Sequence, residues 1–565
     1  MYIVGINEAL GASAAILKDG KIIAAADEER FTRIKNCWGF PKHAINFCLD
    51  FAGINSADID QVVISYNDPY PHFLKNRAQE REEVAPQILK TLRQLAPLVE
   101  YRLPALNYLT QLGRNIYYYF YTQKLKTLQI EEIAQELNIS RGKIKSVDHH
   151  TCHGYSAYFA NSFFISADPT LVLTCDGAGD NLCATVSIVK KDIFKRIAQT
   201  PHIHSLGLFY AAITSYLGLA AHEDEYKIMG LASYVQGVNL DALMKIFQSL
   251  VWADGLVFRS CVPSRQYGLY LREKLMGYRF DHIASAAQMH LTQQMSIWID
   301  NCIQETGIKN VVFGGGVFLN VKANAEILKK TIIKKAFFMP SPGDDANAIG
   351  AAYFGFHLIT KQRPHPITSL YWGPEFSESE INKALAKYPK LKVDLPKNVN
   401  VSVAKLLAKN EIVARFAGRM EFGARALGNR SILSDPRNRN IVEELNKMIK
   451  MRDFWMPFAP TILNSADDKY LIHSKIIPAP YMIVAFETTE LGKHDLAAAV
   501  HPYDKSVRPQ ILHRSDNPSY YDLIKNFQQL TKVGALLNTS FNIHGEPIVC
   551  TPADALGVFA RTDLK

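Results

Sequence analysis

The chain opens on short runs of apolar and β-branched residues separated by turn chemistry. Tyr2 to Ile6 and Ala14 to Leu17 read as strands, and Asp19-Gly20 turns the chain into a third run, Ile22 to Ala26. Two later runs, Leu171 to Cys175 and Val311 to Phe313, break off directly into an acidic or glycine-rich turn. A helical pattern rich in Tyr, Leu and Gln covers about 69–137, and its Tyr117 to Tyr121 stretch reads as core or docking face. Apolar strands that alternate with helices and end in such turns predict an α/β architecture with its site at the strand ends. A Pro- and polar-rich stretch, Lys361 to Pro366, predicts a linker, which places the domain boundary between 360 and 372. Beyond it a helix is expected over about Ser377 to Tyr388, then strands at Val401 to Val403 and Ile412 to Phe416.

Composition narrows the class. At 565 residues, with 48% hydrophobic and 21% charged, the chain has enough material for two or three packed domains and is not a disordered or fibrous sequence. Its 63 Lys and Arg against 54 acidic residues give +9, a diffuse excess that disfavours nucleic acid as partner and suits a polyanionic small molecule. The 8 cysteines sit singly with no CxxC pair, which points to a reducing compartment. Met1 leads straight into a strand with no signal-like segment, and no apolar run approaches a membrane span, so a cytoplasmic protein without membrane contact is expected.

Candidate chemistry falls into several motifs. His149 and His153 lie four apart in Asp148-His149-His150-Thr151-Cys152-His153, a spacing that puts both imidazoles on one helix face within reach of one metal. Among 17 histidines such a pair arises readily by chance, but two acidic turns add to it: Asp176 in Cys175-Asp176-Gly177-Ala178-Gly179-Asp180, and Asp344-Asp345. Two His and two Asp make a mixed N/O set suited to Fe(II), Mn or Zn. Gly314-Gly315-Gly316, running on to Asn320, allows close approach of backbone N–H groups to a phosphate or base, and Glu225 to Ala232 supplies Lys227 and Gly230. In the second half, Gly418 to Ile432 gathers Arg419, Arg425 and Arg430 among glycines, with Asn429 beside them. Guanidinium forks in such a cluster suit phosphate.

Taken together and in this order, Asp27 to Arg33, HxxxH, DGxGD, KxMGLA, GGGVFLN and GDD resemble the bacterial O-carbamoyltransferases of nodulation and antibiotic tailoring, over essentially the whole chain. The resemblance implies an α/β fold in two parts. Residues 1–365 would form an actin-like, duplicated domain similar to the tRNA threonylcarbamoyl transferases, and 366–565 a YrdC-like domain. His149, His153, Asp176 and Asp344 would hold one divalent metal, with iron favoured and Asp345 the alternative to Asp344. Lys450, Arg452, Arg508, Ser540 and Asn542 would surround carbamoyl phosphate and ATP, with Arg425, Asn429 and Arg430 on nucleotide phosphate. Lys227, Gly230, Gly314 to Gly316 and Asn320 would hold carbamoyl-adenylate while its carbamoyl group passes to a hydroxyl of a sugar or natural product.

Two positions depart from the family pattern. Leu10 stands where members commonly carry a histidine suited to general-base duty, and Met456 stands where an arginine precedes Pro-Phe-Ala-Pro. His222 or a metal-bound acceptor oxygen are the alternatives for the base. The rival readings are a threonylcarbamoyl transferase acting on tRNA, a sugar kinase or chaperone-like ATP-binding protein, and a decayed nucleotide-binding member of the family. Self-association is left open.

Overall fold

The computed structural model describes residues 1–68, 100–102, 125–162, 168–330, 332–475 and 477–564. The predicted opening becomes β1 (Tyr2–Asn7), β2 (Ser13–Lys18) and β3 (Lys21–Asp27), with β1 and β2 antiparallel from Tyr2↔Lys18 to Asn7↔Ser13. β4 (Gln61–Ile64) runs parallel beside β1, and β5 (Ile144–Ser146) parallel beside β4. The sheet order is therefore β3-β2-β1-β4-β5.

The same plan then repeats. β6 (Thr170–Gly179), β7 (Leu182–Lys190) and β8 (Ile193–Pro201) form an antiparallel meander, followed by a separate hairpin of β9 (Val251–Asp254) and β10 (Val257–Ser260). β11 (Asn310–Gly314) adds parallel to β6, and β12 (Lys335–Phe338) parallel to β11, giving β12-β11-β6-β7-β8. Each sheet is thus a meander whose first strand is extended by two parallel strands, the duplication that the resemblance implied. The fold is mixed α/β, as expected.

Two buried helices carry the site. His149–Ala160 and Asn347–Thr360 cross at Gly350, where a Cβ would stand 2.0 Å from the Cys152 carbonyl oxygen. Only a residue without a side chain permits that approach. Asn347–Thr360 also packs on β1 at Gly5, where a Cβ would lie 1.8 Å from the Ala348 oxygen.

The second half is built on β13 (Val413–Phe416), β14 (Arg430–Ser434), β15 (Ala459–Leu463), β19 (Gln510–Leu512) and β20 (Ala535–Ser540), in the order β13-β14-β20-β15-β19. A smaller sheet joins β16 (Leu471–Ile472), β17 (Phe486–Thr488) and β18 (Ser506–Val507). Ile432, Leu445, Leu537 and Val549 lie at the centre of one buried apolar cluster. The expected strand at Val401 to Val403 is instead part of the helix Val399–Leu407. Asn398 caps that helix by accepting from the Val401 N–H at 3.1 Å, and Ala404 and Leu407 form its buried side. A β-branched triplet therefore yields here to a cap and a helical apolar stripe.

The chain forms two compact units: 1–24 with 36–319 and 332–366, and 25–35 with 320–331 and 367–565. Residues 25–35 join the second because Arg30 donates to the Gly423 oxygen at 2.8 Å, and Arg33 to the Ile548 and Pro547 oxygens at 2.7 and 2.6 Å. Of the helical pattern expected over 69–137, residues 125–136 are helical, while 69–99 and 103–124, Tyr117 to Tyr121 included, lie outside the described residues. Among the described residues no helix is long and apolar enough to cross a membrane.

Candidate active site

His149 and His153 sit in the first turns of their helix, completely buried. Asp148 caps the helix through the Thr151 N–H, while Asp180 accepts the N–H groups of Asn67, Asp68 and His149 at 2.7 to 3.1 Å. The two Nε2 atoms face each other at 2.9 Å. Asp176 Oδ2 is 3.1 Å from His149 Nε2, and Asp344 Oδ1 is 3.5 and 3.4 Å from the His149 and His153 Nε2 atoms. One donor atom from each of the four residues lies within 4.8 Å of every other. Asp344 is the member of its pair that joins the group; Asp345 accepts from Ser341 Oγ instead.

This donor set fits a metal. Each carboxylate has its outer oxygen engaged, Asp176 Oδ1 by the Gly316 N–H at 3.0 Å and Asp344 Oδ2 by the Tyr66 hydroxyl at 3.2 Å, and turns the other toward the imidazoles. The Asn347 amide lies 3.2 Å from His149 Nδ1, and its buried Oδ1 has no hydrogen-bond partner. The same amide nitrogen lies 3.3 Å from His153 Nε2, so Asn347 bridges the two imidazoles. The charges are strongly linked. Burial lowers the His149 imidazole, but Asp344 and Asp176 prevail and raise it to about 9. Burial and then His149 push His153 down to about 3. Burial and the Asp176 charge raise Asp344 to about 7, whereas the three histidines overcome burial to hold Asp176 below the usual carboxylate range. A cation held by His149, His153, Asp176 and Asp344 would replace this mutual compensation with direct ligation.

The glycine turns explain themselves by packing around these ligands. A Cβ on Gly179 would stand 2.2 Å from His149 Cγ, one on Gly314 2.7 Å from the His153 oxygen, and one on Gly316 2.7 Å from Asp176 Oδ1. Gly315 adopts φ 101°, and its Cβ would lie 2.3 Å from the Cys175 oxygen. Lys227 pairs with Asp224 at 3.3 Å on the helix Glu225–Ala232, in which Gly230 is buried. Asn320 caps the helix Val321–Lys329 through the Ala323 N–H. A cavity of about 360 Å³ is lined by His202, Leu208, Ala211, Ser215, His222 and Arg265 among others. His202 N–H bonds the Asn181 oxygen there, and Ser205 Oγ the Gly177 oxygen.

In the second unit a different centre assembles. Lys450 Nζ reaches the Ser540 oxygen at 2.6 Å, Ser540 Oγ at 3.1 Å, the Asn542 oxygen at 3.1 Å and Asn542 Oδ1 at 2.8 Å. Burial, then Arg452, pulls the Lys450 ammonium well below the ordinary lysine range. Arg508 is lowered in the same way, by burial and then by Arg425 and Arg452, and no carboxylate forms an ion pair with it among the described residues. Arg452 Nη2 lies 3.4 Å from Thr539 Oγ1. Lys450, Arg452, Arg508, Ser540, Asn542 and Arg425 are thus gathered, a concentration of like charge.

Arg430, expected on nucleotide phosphate, is placed otherwise. It is completely buried; Nη1 donates to the Ala417, Gly418 and Asn429 oxygens and Nη2 to the Pro374 oxygen. Its guanidinium also lies over the Phe416 ring at 3.7 Å, so it acts as a post of the fold. Asn429 donates to the Arg419 oxygen and accepts from Asn517. Sequence reasoning missed Glu421, whose Oε1 accepts the N–H groups of Leu427, Asn429 and Arg430 at 2.7 to 3.1 Å and shapes the loop bearing Arg425. It also missed Tyr66, Asp180 and Asn347, of which Asp180 and Asn347 lie in the two acidic turns and Tyr66 in no recognised motif.

Fold and sites together define a two-unit α/β protein with a buried His2Asp2 group in one unit and a cluster of lysine and arginine side chains in the other. Residues 2–353 match the family described as carbamoyltransferase N-terminus and 404–565 the one described as carbamoyltransferase C-terminus; the chain belongs to the carbamoyltransferase family and is a carbamoyltransferase. It is 33% identical to an uncharacterised protein of Synechocystis sp., over all of this chain and 95% of that one. It is 30% identical to nodulation protein NolNO of Sinorhizobium fredii, over 98% of this chain and 77% of that one, and 25% identical to nodulation protein U of the same species, over 96% and 94%. The solved structure of HypF from T. kodakarensis matches 64% of this chain and 48% of that one at 14% identity and a TM-score of 0.33, a likeness too distant to bear on mechanism.

Proposed function

We propose that the protein is an ATP-dependent O-carbamoyltransferase working in two steps at two centres. The observation that carries this reading is the Lys450–Arg508 cluster, in which buried Lys450 stands beside Arg452 and Arg508 has no carboxylate ion pair among the described residues, in a chain that also gathers a His2Asp2 group. At the first of these, Lys450, Arg452 and Arg508 neutralise carbamoyl phosphate as a water molecule adds to its carbamoyl carbon and the C–O bond to phosphate breaks, giving carbamate, inorganic phosphate and a proton released to solvent. The carbamate oxygen then attacks the α-phosphorus of ATP, the bond to pyrophosphate breaks, and carbamoyl-adenylate forms. Arg425 takes nucleotide phosphate, while Ser540 and Asn542 orient the reactants.

The adenylate is then used in the first unit, where Lys227, Gly230 and Gly314 to Gly316 are assigned to its nucleotide. His149, His153, Asp176 and Asp344 would hold a divalent metal, Fe(II) in our reading, which supplies Lewis-acid polarisation. A hydroxyl of a sugar or natural product attacks the carbamoyl carbon, and AMP leaves. Leu10 cannot take the hydroxyl proton; His222, which lines the 360 Å³ cavity, is the base assigned here. We place this chemistry in the cytoplasm, where ATP and carbamoyl phosphate are made.

The test is pyrophosphate release from purified protein given ATP and carbamoyl phosphate without acceptor. Release that requires both substrates is expected. Its absence from folded protein overturns the adenylation step.

A further inference from the structure

Arg508 follows β18, a strand of only two residues that is held to β17 through Phe486↔Val507 and Glu487↔Ser506. So short a ladder does little to fix the half-buried Arg508 guanidinium. The hold comes from the loop before it. His501, 1% exposed, donates its N–H to the Ser506 oxygen at 2.9 Å, and Thr488 Oγ1 donates to the Lys505 oxygen at 2.7 Å. Lys505 sits at φ 57°, a left-handed backbone that a lysine keeps only when its surroundings impose it. Asp504 Oδ1 accepts from the Ser506 N–H at 3.0 Å and from Ser506 Oγ at 2.8 Å, and lies 3.3 Å from His501 Nδ1. Its other oxygen is bound by the Lys322 ammonium. Lys322 is itself carried by a fixed helix: Asn324 Nδ2 donates to the Ile483 oxygen at 2.8 Å and the Ala485 N–H to the Val321 oxygen at 3.1 Å.

One carboxylate therefore ties the turn immediately before Arg508 to a helix more than 180 positions earlier in the chain. We infer that Asp504, clamped by Lys322, is a positioning residue that aims the Arg508 guanidinium at the phosphate of carbamoyl phosphate. The inference rests on the reading of the Lys450–Arg508 cluster given above. Asp504 touches no reacting atom; it acts through the backbone of Ser506. Burial disfavours its charge, but His501 and Lys322 prevail and keep it ionised, so the clamp is present at neutral pH.

The experiment compares wild type with Asp504→Asn, Lys322→Met and Lys322→Arg in the full-length protein. Asp504→Asn and Lys322→Met are expected to raise KM for carbamoyl phosphate about tenfold or more in pyrophosphate release, because misplacing one binding group costs that much. KM for ATP should stay within about twofold and transfer from supplied carbamoyl-adenylate should not change, while Lys322→Arg should restore the wild-type KM. Calorimetry with inorganic phosphate should show the same loss of affinity. An unchanged KM for carbamoyl phosphate in both variants overturns the inference. So does a uniform fall in every activity that tracks the folded fraction by circular dichroism, since that marks a merely structural ion pair. If wild type releases no pyrophosphate, the adenylation reading fails separately, and phosphate calorimetry on the same variants still decides whether Asp504 orders the anion site.

Discussion

Lys450 is buried beside Arg452 and held by four oxygens of Ser540 and Asn542, yet burial and then Arg452 weaken its hold on a proton. Its affinity for a proton is lowered in the fold relative to the unfolded chain. This residue's contribution to stability therefore grows as pH rises from its depressed value toward the ordinary lysine range. An anion beside it reverses that balance, so binding of inorganic phosphate is expected to take up protons and to weaken as pH rises. Calorimetry in two buffers of unlike ionisation heat measures the uptake, which should vanish in Lys450→Met; equal heats for wild type in both buffers would exclude the coupling. The same physics separates the two metal-site carboxylates. Asp176 is held down by the histidines and Asp344 is raised to about 7, although both are aspartates in one pocket. Residue type was legible in the motif; this difference was not, because it depends on neighbours far away in sequence.

At the scale of elements, the centre depends on close packing between β6, β11 and the helix His149–Ala160. Gly179 is the tightest point, with no room for a Cβ against the His149 ring. Gly179→Ala is expected to displace His149 and reduce bound divalent metal at least tenfold, a displacement costing on the order of 1–3 kcal/mol locally. Gly142→Ala, at a position with open space around it, should keep wild-type metal content. Metal analysis of both purified variants checks this, and full loading of Gly179→Ala would refute the packing argument. The helical spacing of His149 and His153 and the strands at both termini of the glycine turns followed from local patterning. The helix at Val399–Leu407 did not, because alternating Val401, Ser402 and Val403 fits a strand until the Asn398 cap and the buried Ala404 and Leu407 are taken into account.

For the whole molecule, the two centres predict two separable half-reactions. His149→Ala or His153→Ala should abolish carbamoyl transfer and leave pyrophosphate release within about twofold of wild type, whereas Lys450→Ala should do the reverse with supplied carbamoyl-adenylate. Assaying both half-reactions on each folded variant checks the division, and joint loss of both from any one of them contradicts it. By itself the sequence determined the donor chemistry: imidazoles one helical turn apart, carboxylates and glycines at strand ends, and arginines grouped in the second half. Those features are local, set by backbone periodicity and by which side chains hold charge. Only the tertiary structure decided that Asp344 rather than Asp345 turns inward, that Arg430 supports the fold, and that residues 25–35 and 320–331 pack with the second unit. Each of those outcomes turns on contacts between residues far apart along the chain, such as Gly350 against Cys152 or Lys322 against Asp504. Such contacts are settled by packing and burial, which no local pattern of residues encodes.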